Sequence, residues 1–161
     1  MRGGPLPPAL LCASVGLALA FAPRGARLPS LVTLTMTTVV VAALPIPREW
    51  LEGVFLGGWA SVAATAAAVH LPRGVFACGA VGLACNAGFW SGAEVALAGS
   101  HLDIVKALAC VLLLFPAAFI VDKRAPIIVK VISSWLVAVA ILAAALQFLP
   151  VTPGYLPDHL D

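Results

Sequence analysis

The chain is 161 residues long, 62% hydrophobic and 10% charged, with a formal net charge of +2. Soluble domains usually hold about 45–50% apolar and about 25% charged residues, so this composition argues against a water-soluble fold. No cationic run is denser than Lys123-Arg124, which stands beside Asp122, and nucleic acid is therefore not an expected partner.

A helix needs about 20 apolar residues to cross a hydrocarbon core roughly 30 Å thick. Stretches near that length fall at 6–22, 28–46, 51–71, 75–98, 104–121 and 126–149. They consume almost the whole chain. The alternation expected of barrel strands is missing, so helices are the available spanning structure. The expectation is an all-α, polytopic membrane protein: one domain of about six short transmembrane helices in a lipid bilayer. The gaps are short, so neighbouring spans form antiparallel hairpins.

The first span resembles a secretory signal peptide, with Arg2, an apolar core and Ala20-Phe21-Ala22. Cleavage would leave Pro23 as the first mature residue. It would also put the gaps carrying Arg24, Arg27, Arg73, Lys123 and Arg124 outside, against the positive-inside rule. The span is therefore expected to be retained, with both termini outside. Short loops and scarce charge suit a bacterial inner membrane.

Pro23 and Pro29 are expected to bracket the first gap, because proline breaks helix interiors. In the second span, Thr33, Thr35, Thr37 and Thr38 can bond to their own helix carbonyls; a polar pathway lining is the alternative. Before the third span, Trp50 suits the interfacial belt. Glu52 suits a helix N-terminus. Gly53 and Gly57, like Gly88 and Gly92 in the fourth span, form GxxxG strings that let backbones approach. The third and fourth spans are thus expected to be the packing centre.

The fourth span carries the polar groups hardest to place in lipid. Asn86 lies in its middle, where an amide is expected to join helices or to contact a substrate. Glu94 is too short to snorkel far. Its expected partner is Lys106, at similar depth across the turn at 99–103; the alternative is a protonatable or cation-binding carboxylate on a permeation path. Lys106 and Lys130 lie near span ends, where their stems can reach the interface. Pro116 is expected to kink the fifth span. The tail at 150–161 reads as an extended segment.

The four cysteines, Cys12, Cys78, Cys85 and Cys110, form no CxxC pair. They read as small apolar side chains at helix contacts, with a metal or redox pair of Cys78 and Cys85 as the alternative. No cofactor is expected. Every histidine lies at a span border or in the tail, and no span contains an aspartate. A serine–histidine or paired-aspartate site inside the bilayer is therefore not expected, nor is enzymatic activity.

Two short echoes suggest a three-plus-three repeat. The segment Cys12–Ala18 resembles Cys78–Ala84, and Gly57-Gly58-Trp59 resembles Ser133-Ser134-Trp135. An odd number of spans per half implies inverted topology, an arrangement common in transporters. The sequence thus favours a small transporter or channel for a solute or ion, able to form a homo-oligomer. The alternative is a non-catalytic subunit or assembly factor of a larger membrane complex.

Overall fold

The structure, a computed structural model, describes residues 6–99 and 101–148. The expected tail at 150–161, and Leu149 at the end of the sixth span, lie outside the described residues. The chain is an all-α polytopic membrane protein, and no strand occurs among the described residues. Helix α1 is Leu6–Ala20, α2 Arg24–Ala42, α3 Leu51–Ala68 and α4 Ala77–Ala98. The fifth span is divided into α5, His101–Cys110, and α6, Leu114–Asp122, and the sixth is α7, Pro126–Leu146. Four spans, namely α2, α3 with its preceding turn, the joined α5 and α6, and α7, are long and apolar enough to cross a membrane. Helix α4 is 22 residues long but carries Asn86, Ser91 and Glu94.

One proline acts differently from expectation. Pro29 lies inside α2, which begins directly after Pro23. Only the sixth residue of the helix loses its N–H, so a single bond near the open first turn is missing. Arg27, in that first turn, donates to the Ala20 carbonyl at 3.1 Å and so caps the end of α1. In the fifth span the disturbance is a 3₁₀ turn at Val111–Leu113. Pro116 explains it: the ring has no N–H for the Leu112 carbonyl and crowds it.

Helix α1 sits in the middle. Every residue from Leu11 to Ala20 is buried, and α3, α4, α5, α6 and α7 all pack against it. Its small residues let neighbouring backbones approach from several sides, which is what helix association in a bilayer favours. The expectation that the third and fourth spans form the packing centre is thereby corrected. The glycine strings serve different neighbours. Gly88 and Gly92 press α4 onto the backbone of α2, where a Cβ would come within 2.8 Å of the Leu34 oxygen and 2.6 Å of the Thr38 oxygen. Gly57 lies under the Trp90 ring, and Gly53 meets nothing within 4 Å. Gly16 seats α1 on the break in the fifth span, 2.9 Å from the Val111 oxygen on the same measure.

The turns after α1, α3 and α6 share one side of the bundle. Arg24 pairs with Asp122 at 3.3 Å. Gly74, at φ 71°, fits beneath the Phe21 carbonyl, where a Cβ would lie at 3.0 Å. An L side chain there would meet both strain and contact.

The halves correspond in helix order and in part of their packing, although the contact of α1 with α3 has no counterpart of like extent between α4 and α7. Helix α4 lies along α2 as α1 lies along α5 and α6, while α3 pairs with α7. The helix ends Ala20, Ala42 and Ala68 recur at Ala98, Asp122 and Leu146, which are 78, 80 and 78 residues later. The echo between Cys12 and Cys78 has a spacing of 66, out of step with those ends. Cys12 is buried and Cys78 exposed, so that string does not mark equivalent places.

The glycine contacts make a graded prediction. Gly92→Leu should overpack the α2–α4 contact by about 1–3 kcal/mol, while Gly82→Leu, with nothing within 4 Å, should be tolerated. Thermal aggregation in mild detergent measures both. Equal midpoints for the two variants would remove the close contact from the account of stability.

Candidate functional site

The polar groups of the fourth span face α3 and α1. Trp90 is one turn from both Asn86 and Glu94, so these three side chains share a helix face. Asn86 donates through Nδ2 to Ser61 Oγ on α3 at 2.5 Å, and its Oδ1 accepts from Trp90 Nε1 at 3.1 Å. It therefore clips α3 to α4 and fixes the Trp90 ring over Gly57. Both ends of the amide are occupied by the protein.

Glu94 is placed differently. Its carboxyl lies against Gly58 of α3, where any Cβ would collide with it. The side chain is 9% exposed, and neither oxygen has a hydrogen-bond partner among the described residues. The sequence reading paired it with Lys106. Instead Lys106 contacts Asp103 at 3.3 Å, three residues away on its own helix. Equal depth was not enough, because Glu94 turns towards α3 and α1 rather than towards α5. From α1, the Cys12 thiol faces Ser91 and lies within electrostatic reach of Glu94; the Ser91 hydroxyl makes no hydrogen bond.

Further buried polar atoms without partners are Arg27 Nε on α2, Trp59 Nε1 and Thr65 Oγ1 on α3, and Ser133 Oγ on α7. They contrast with Ser14, Ser30 and Thr38, which each donate at 2.8 Å to a carbonyl of their own helix. Mid-helix hydroxyls usually bond back in that way. Unpartnered groups are thus concentrated on α3 and on the helices packed against it. Sequence reasoning missed Ser91, Thr65, Ser133 and Trp59, because serine, threonine and tryptophan are tolerated in membrane helices when their polar atoms are satisfied.

A cavity of about 520 Å³ lies on the other side of Trp90. The end of α2, the segment at 43–50, α3 and α4 border it as a groove open on one side, and its walls include Val41, Pro45, Pro47, Trp50, Phe89 and Trp90. Trp90 and Phe89 meet edge to face, with centroids 5.2 Å apart. Lysine 130 lies partly buried on α7, apart from this region, and the four cysteines are free thiols. No group of three or more metal-ligating residues occurs among the described residues.

The chain matches no known protein family, no curated protein and no solved structure.

The Asn86 clip predicts coupled losses. Asn86→Ala and Ser61→Ala should each destabilise the bundle, with an interaction of about 0.6–1.7 kcal/mol in the double variant. Reversible unfolding in detergent mixtures measures it. Strictly additive losses would show that the contact contributes nothing to stability.

Proposed function

We propose that this protein is a small membrane transporter or channel in which Glu94 is the exchange group. The observation that carries this reading is a carboxyl enclosed between helices with neither counter-ion nor hydrogen-bond donor among the described residues. A charge in a low-dielectric interior must be neutralised. Here the neutralising species, a proton or a cation, comes from outside the chain. The unpartnered hydroxyls of Ser91, Thr65 and Ser133 give such a species further polar contacts along α3. Asn86 is assigned to holding α3 and α4 together, and Lys106 to its own helix end. The protein is not an enzyme on this reading.

Proteoliposomes test it directly. Vesicles containing the unaltered protein should dissipate an imposed pH gradient faster than empty vesicles. Glu94→Gln should slow that flux by about tenfold, equivalent to about 1.4 kcal/mol on the barrier. Vesicles as tight as empty ones, or a Gln variant as active as the parent, would sink the proposal.

The charge distribution adds an orientation. The side bearing Arg24, Arg73 and Lys123 is assigned to the cytoplasm, and a bacterial inner membrane fits it. In a cysteine-free background, Arg24→Cys and Lys123→Cys should resist a membrane-impermeant maleimide in intact cells, whereas Glu49→Cys should react. Labelling of the first two would invert the topology.

A second reading is that of a non-catalytic subunit. The exposed apolar outer faces of α2, α6 and α7, including Met36, Phe115 and Trp135, suit a protein neighbour as well as lipid. A stoichiometric partner in mild-detergent purification would favour this reading.

A further inference from the structure

We infer that the outer seam between α3 and α7 binds the headgroup of an anionic phospholipid, with Lys130 and His70 holding its phosphate. This site is separate from Glu94 and does not depend on the transport reading. Ser134 Oγ lies 3.2 Å from His70 Nε2 across the seam. Both residues are exposed on the outside of the bundle, and Lys130 is partly buried. Lys130 and Ser134 are four residues apart on α7, so they share a helix face. With the hydroxyl donating to Nε2, Nδ1 carries the imidazole proton and is left as a donor for a phosphate oxygen. No carboxylate contacts His70 among the described residues, so the pair lacks the acid that orients a hydrolytic base.

The occupant follows from charge. The side holding the turns after α1, α3 and α6 carries Arg24, Arg27, Arg73, Lys123, Arg124 and Lys130 against Asp122 alone among the described residues. Asp122 is taken by Arg24, Arg27 is turned to the Ala20 carbonyl, and Lys123 lies over the Phe119 ring at 5.4 Å. Lys130 forms no ion pair among the described residues. Its stem points back towards the start of α7, about 6 Å away along the axis, which brings the ammonium to headgroup level. The neighbouring row of α7 selects a lipid over a free phosphate. Ile127, Val131 and Trp135 recur every four residues beside Lys130 and Ser134, and each is at least 63% exposed. That row takes an acyl chain while the basic recess takes the phosphate. A choline headgroup would bring its own cation against Lys130.

Native mass spectrometry of the full-length protein, with phosphatidylglycerol and phosphatidylcholine of identical chains at equal concentration, is the test. The unaltered protein should retain the glycerol lipid at least about tenfold more strongly. Lys130→Gln should cut that preference by about fivefold, the scale of one cation at an anionic membrane surface. Ser134→Ala removes no charge but frees His70, and should cut it by about threefold. Lys123→Gln, which removes a charge elsewhere on the same side, should change it by less than about twofold. Equal retention of the two lipids by the unaltered protein, a comparison that needs no variant to fold, would overturn the site. So would equal losses for Lys130→Gln and Lys123→Gln with none for Ser134→Ala, the signature of diffuse surface charge. Displacement of the lipid by soluble glycerol phosphate would show a free-phosphate site and overturn lipid recognition as well.

Discussion

Helix association in a bilayer gains little from burying apolar surface, because the lipid is as apolar as the side chains. This bundle therefore depends on how closely its backbones approach. Helix α1 shows the consequence most directly. Its alanines, Ser14 and Gly16 present small side chains in every direction, and five helical segments close around it. On α4, Gly88 and Gly92 bring the backbone onto α2. With those two contacts set, α3 and α7 complete the enclosure. The exposed charges add little; the Arg24–Asp122 pair is largely solvent-facing, and such pairs contribute about 0–1 kcal/mol.

Close approach also decides where polar atoms go. Gly58 has no side chain, and the Glu94 carboxyl occupies the space that one would need. The cost of an intramembrane carboxylate, about 2.5–3.5 kcal/mol on insertion scales, is not offset here by a lysine. Burial between helices raises that cost rather than lowering it, and on the proposed reading a proton or cation from outside the chain neutralises the group. A permanent ion pair with Lys106 would have been a staple. Its absence among the described residues is what supports the proposal of exchange over that of a structural carboxylate.

The helical segments and the short turns were legible in the sequence because length and hydropathy suffice to read them. The faces were not. Helices α1, α3 and α4 are apolar nearly all round, so no stripe indicates which neighbour each side meets. The glycine strings located close contacts without naming partners, which is why Gly88 and Gly92 belong to α2 rather than α3. The Glu94–Lys106 pairing failed for the same reason: sequence separation and depth were readable, but rotation about the helix was not. Asn86 was read more closely, since an amide in mid-span requires partners and α3 supplied Ser61. The missed hydroxyls carry no signal of their own, because only the structure distinguishes a serine that bonds its own helix from one that does not.

The correspondence of the halves sharpens the position of Glu94. Counting back by the 78 residues that separate the ends of α1 and α4 leads to Gly16. Gly16 lies against the 3₁₀ turn at Val111–Leu113, with no room for a side chain. One half thus uses this place to close α1 onto the fifth span, and the other uses it to hold a carboxyl against α3. The two places share a depth but not a direction, since Gly16 faces the fifth span, the counterpart of α2, whereas Glu94 faces α3. A symmetric pair of carboxyls would repel across the centre, whereas one carboxyl can accept one proton or one cation at a time. The bundle retains its tight side as a support for the side at which exchange is proposed.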